Sequence, residues 1–76
     1  MFLMMVLELT EEIETKSEDQ EFLVKTREKL EKMDIQLLSD ITESASKGEF
    51  IKMQKEINEL KYIRNMLGNI HEYEDV

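Results

Sequence analysis

SASKG, residues 44–48, separates two long runs of helically spaced apolar residues. Serines compete with the backbone for hydrogen bonds and weaken a helix interior, and Gly48 can take the left-handed conformation that ends one. Upstream, Leu23, Thr26, Leu30, Met33, Leu37 and Ile41 recur at steps of three and four, the stripe of an amphipathic helix over about 18–47. Downstream, Phe50, Met53, Ile57, Leu60, Ile63, Leu67 and Ile70 repeat that spacing over about 49–71 and point to the core. The first of these helices is about 43 Å long at ~1.5 Å per residue, and the second is nearly as long. Two long helices joined by so tight a turn pack antiparallel.

Working outward, Ser17-Glu18-Asp19-Gln20 fits a capping box. Ser17 would be the N-cap and Gln20 would reach back, starting the helix near Glu18. Ahead of it a shorter helix runs from about Phe2 to Thr15. There is no proline, the glycines are Gly48 and Gly68, and no segment alternates as a strand would. The spacing predicts an all-α fold, a three-helix bundle forming one domain over residues 1–76, with the short helix packed on a long helical hairpin. The acidic tail, Glu72 to Val76, is expected to fray.

Composition bounds the function. Eighteen acids against ten bases give a net charge of −8, which opposes binding to nucleic acid or to an anionic membrane surface. Cysteine is absent and His71 is the one histidine, so thiolate and histidine metal clusters are excluded and no cofactor is expected. No Asp-x-Asp-x-Asp-Gly loop offers a calcium site. The apolar start, MFLMMVLEL, lacks the basic n-region and small-residue cleavage site of a secretory signal and reads as structural. No apolar run approaches the ~20 residues needed to span a bilayer.

The first helix carries more apolar surface than a bundle needs. At about 100° per residue, Phe2, Met5, Val6, Leu9 and Ile13 form one face, the natural core stripe. Leu3, Met4 and Leu7 fall nearly opposite, beside Glu8 and Glu11. Such a patch is exposed unless something covers it, either a neighbouring helix or a partner protein. Residues 1–21 hold seven acids and one base, Lys16, a balance of −6, so a basic partner surface is expected. On the third helix Tyr62 points away from the core and offers a rigid contact with one polar end. Met33, Met53 and Met66 read as bundle filling.

FLMMVLELTEEIE (Phe2 to Glu14) resembles the start of the C-terminal domain of the HscB-type iron–sulfur co-chaperones. GEFIKMQKEINELKYIRNM (Gly48 to Met66), with its Lys61-Tyr62-Ile63 step, resembles that family's last helix. The resemblance implies a domain that binds the iron–sulfur cluster scaffold protein, of the IscU type, in bacterial cytoplasm or the mitochondrial matrix. It places the scaffold-contacting apolar positions on Leu3, Met4 and Leu7, the aromatic one on Tyr62, and acidic ones on Glu8 and Glu11. A further acidic position falls on Thr15, a departure, with Glu14 beside it. The family recruits its heat-shock ATPase chaperone through a J-domain bearing His-Pro-Asp, a motif this sequence does not contain.

Two other readings stand beside it. In one, the patch on the first helix is a self-association surface of a structural helical dimer. In the other, the chain is a small all-helical enzyme of the chorismate mutase kind. Such an enzyme needs several cations in one apolar pocket, and the sequence has two arginines, Arg27 and Arg64. Glu56 and Glu59, one turn apart, are expected to form solvated pairs with Lys52 and Lys55 rather than an acid–base couple.

Overall fold

The computed structural model describes residues 2–74, and three helices account for nearly all of them: α1 (Phe2–Thr15), α2 (Gln20–Ser46) and α3 (Phe50–Glu74). No strand occurs among the described residues. Contacts between α2 and α3 run in opposite directions along the two helices, with Ser44 against Glu56, Asp34 against Arg64 and Arg27 against Glu74. They form an antiparallel hairpin, and α1 packs along α3. The Phe2 ring lies tilted on the Tyr62 ring, 6.2 Å between centroids. From there α1 runs towards the Glu74 end. Its 14 residues span about 20 Å, half of the ~40 Å of α2. α1 therefore covers one half of the hairpin and leaves the half around residues 44–56 as two helices.

The two joints follow from local hydrogen bonding. Gly48, at φ 71°, sits in the left-handed region that favours glycine. Its N–H donates to the Ala45 carbonyl at 3.1 Å, and the Glu49 N–H donates to the Ser44 carbonyl at 2.9 Å. That pair of bonds is the Schellman motif, which satisfies carbonyls a helix end leaves without partners. The start of α2 differs from the expectation. Asp19, not Ser17, is the N-cap, its Oδ1 accepting from the Phe22 N–H at 3.1 Å. Ser17 is taken up in the turn that the Asp19 N–H closes on the Lys16 carbonyl at 2.9 Å. Both residue types cap well, and this turn leaves the later one facing the first helical N–H groups. Lys16 stands 4.9 Å from the Phe22 ring centroid, which ties the joint to α2.

Val6, Ile13, Leu23, Leu30, Ile63, Met66 and Ile70 form the core, flanked by Phe2, Met5, Leu9, Phe22, Met33, Leu37, Leu67 and Tyr73. The inward face of α1 is the expected one. Each fully buried aliphatic side chain contributes roughly 1.5–3 kcal/mol. Arg64 bonds Asp34 across the hairpin through Nε at 2.9 Å, and this bond and the Asp34 charge raise the guanidinium pKa.

Three expectations fail at the ends of α3. Phe50, assigned to the core, is 66% exposed. Its heptad position faces the hairpin, but α1 does not reach that level, so nothing closes over the ring. Glu56, expected in a solvated pair with lysine, is buried, and Ser44 Oγ donates to its Oε1 at 2.6 Å. Its position lies seven residues before Ile63, on the inward stripe. The tail does not fray where expected: α3 continues to Glu74, which pairs with Arg27. Asp75 and Val76 lie outside the described residues.

Candidate protein-docking site

The twist of α1 sets two rows of side chains on its outer face. Leu3, Leu7 and Glu11 follow one another at four-residue steps, as do Met4 and Glu8. Leu3, Met4 and Leu7 are between 55% and 70% exposed, and both glutamates are exposed. This face stays outward because the opposite one, with Val6 and Ile13 at its centre, is buried on the hairpin. Glu8 and Glu11 form no ion pair among the described residues, whereas Glu12 reaches Lys16 at 3.9 Å. Thr15, where the family resemblance places an acid, turns its hydroxyl back to the Glu11 carbonyl at 3.0 Å.

Tyr62 is exposed on α3 and leans on Phe2, so it adjoins the start of α1. Leu3, Met4 and Tyr62 come together along one open groove with Phe2. Leu7, Glu8 and Glu11 are not part of its lining and lie farther along α1. The groove continues past the start of α1 to Phe50 and Ile51, two residues the sequence reading did not assign to a site. Among the described residues Ile51 is the most exposed large hydrophobic one, at 92%. It stands two residues before Met53, on the far side of α3 from the core stripe. The test that singled out Leu3 and Met4, an apolar residue off the stripe, would have found it. Lys55, Lys61 and Glu59 also line the groove.

Exposed apolar side chains beside carboxylates suit contact with another protein surface. Among the described residues no group of His, Asp and Glu is placed to hold a metal ion. No described helix is long and apolar enough to cross a membrane. An apolar centre with a polar, charged margin is the usual anatomy of a protein–protein contact.

Comparison with known proteins agrees with the fold. A family model described as the HSCB C-terminal oligomerisation domain matches residues 1–71, and no J-domain family is found in the chain. No curated protein and no solved structure matches. The matched family is one of co-chaperone domains and not of enzymes. With 71 of its 76 residues covered, the chain belongs to the HSCB C-terminal domain family.

Proposed function

We propose that this domain docks the iron–sulfur cluster assembly scaffold protein through the outer face of α1 and Tyr62, for presentation to a heat-shock ATPase chaperone. The observation that carries the reading is the outward row of Leu3, Met4 and Leu7 on a helix whose other face already fills the core. Burying one such side chain is worth roughly 1.5–3 kcal/mol, so three or four anchors offset the cost of association. Micromolar affinity, about −8 kcal/mol, is expected. Glu8 and Glu11 face Lys or Arg of the scaffold and govern on-rate and salt dependence. Activation of the ATPase belongs to a J-domain, so this chain by itself serves binding and not stimulation. Bacterial cytoplasm and the mitochondrial matrix are the compartments in which such docking would take place.

Titration of the domain with the scaffold protein by NMR or calorimetry tests this. Perturbations centred on Leu3, Met4, Leu7, Glu8, Glu11 and Tyr62 are expected, and the L3A/L7A variant should fold yet bind at least tenfold more weakly. Unchanged binding by that folded variant refutes the assignment. The family's description as an oligomerisation domain favours a second reading, self-association through the same face. Sedimentation separates the two, since a monomer at every concentration leaves the face available to another protein.

A further inference from the structure

We propose that the docking surface extends beyond α1 along α3 to Phe50 and Ile51, and that it takes a segment of the scaffold carrying both large apolar side chains and carboxylates. The inference rests on the docking reading above and specifies the partner's chemistry. Three observations support it.

The first is continuity. A single groove joins Phe2, Leu3, Met4 and Tyr62 to Phe50 and Ile51, with no helix laid across it. From Tyr62 to Phe50 it follows α3 for about 18 Å at ~1.5 Å per residue. Its lining comes from the start of α1 and from α3, so a partner segment seated there packs along the outer side of α3 beside the start of α1.

The second is area. A standard specific interface buries about 800 Å² on each partner. Leu3, Met4, Leu7 and Tyr62, 42% to 70% exposed, are four side chains where such an interface takes about 20–30 residues a side. Phe50 and Ile51, 66% and 92% exposed, are among the largest remaining sources of uncovered apolar surface and lie in the same groove.

The third is charge. The chain has eight more acids than bases, yet the groove lining carries Lys55 and Lys61 against Glu59. Neither lysine forms an ion pair among the described residues. The outer face of α1 is acidic and the α3 wall is basic, so the fitting partner presents bases to one and carboxylates to the other. That two-signed pattern fixes the orientation of docking as well as its place.

Calorimetry with the scaffold protein, comparing wild type, L3A/L7A, F50S/I51S and K55E/K61E, tests each part. F50S/I51S is expected to keep its helical circular dichroism and to raise Kd about tenfold or more. The single I51S variant, at a fully exposed position, gives the same readout if the double variant unfolds. K55E/K61E should raise Kd at low salt, with the effect shrinking as salt is added. Wild-type affinity in F50S/I51S with loss in L3A/L7A overturns the extension and leaves α1 docking intact. Unchanged or tighter binding by K55E/K61E overturns the acidic character of the partner segment. A wild-type chain that ignores the scaffold, or that instead dimerises through Phe50 and Ile51, overturns the docking reading together with this one.

Discussion

The buried pair Ser44–Glu56 offers the sharpest test of how the uncovered half of the hairpin is held. Ser44 is 1% exposed and Glu56 8%, and the bond between them is 2.6 Å long, so water has little room to substitute for either group. Removing the hydroxyl in Ser44→Ala strips the carboxyl oxygen of its partner, a penalty of about 1–3 kcal/mol. Alanine recovers about 0.5 kcal/mol through its higher helix propensity, so the net loss should be ~0.5–2.5 kcal/mol. Glu56→Met leaves the serine hydroxyl without its acceptor and should cost a similar amount. The double variant replaces both polar groups by apolar ones of comparable size and should recover most of the loss. The expected coupling energy is thus about 1–2 kcal/mol. For 76 residues a total stability of ~4–11 kcal/mol is ordinary, so the effect is measurable by urea unfolding followed by circular dichroism. Additive single effects, with a coupling under ~0.5 kcal/mol, would show that solvent reaches the pair and that the bond holds nothing.

Three further outcomes are expected. Ile13→Ala opens a cavity between α1 and the hairpin at a fully buried position and should cost about 2–5 kcal/mol by denaturant unfolding, a loss near zero being the contrary result. The two glycines should respond with opposite signs. Gly48→Ala is strained at φ 71° and should cost about 1 kcal/mol, while Gly68→Ala, helical with nothing within 4 Å of the added methyl, should gain about 0.5–1 kcal/mol. Between Glu43 and Lys47, a hydrogen bond and then the opposite charge hold the carboxyl pKa down and the ammonium pKa up. The Glu43 contribution is therefore present above its unfolded pKa and lost as pH falls through the folded value. The Lys47 contribution is present below its unfolded pKa and lost as pH rises through the folded one. Carboxyl NMR should show Glu43 titrating at higher pH in Lys47→Met, and an identical curve would remove the pair from the account.

Much of this was legible in the residues. The stripes from Leu23 to Ile41 and from Met53 to Ile70, with Gly48 between them, give the hairpin, because helical periodicity and a left-handed stop are both local properties. The two-sided α1 could be read for the same reason. Phe50 could not be placed by periodicity alone, since its spacing is that of a core residue and its exposure depends on how far α1 reaches. The lengths held the answer. A helix of about 14 residues joined by a short turn to the start of α2 covers only the α2-start end of a ~40 Å hairpin. Glu56 illustrates the converse: a charged residue on the inward stripe is read as solvated until the hydroxyl four residues ahead of the turn is known to meet it. Asp19 against Ser17 turns on a single backbone geometry, which sequence preference does not decide.

The half-length α1 divides the molecule into two regions of unequal resistance to opening. Ile13, Leu23, Ile63, Met66 and Ile70, drawn from all three helices, pack into one buried cluster, and backbone amides there should exchange only when the whole domain unfolds. Towards Gly48 the apolar residues Ile41, Met53 and Ile57 are only half buried, and the hairpin ends can separate without disturbing the rest. Hydrogen exchange should therefore slow progressively from the turn towards the α1 end. A protein seated along Phe50 and Ile51 would flatten that gradient, and protection appearing at the turn would report its arrival even where no side chain there touches it.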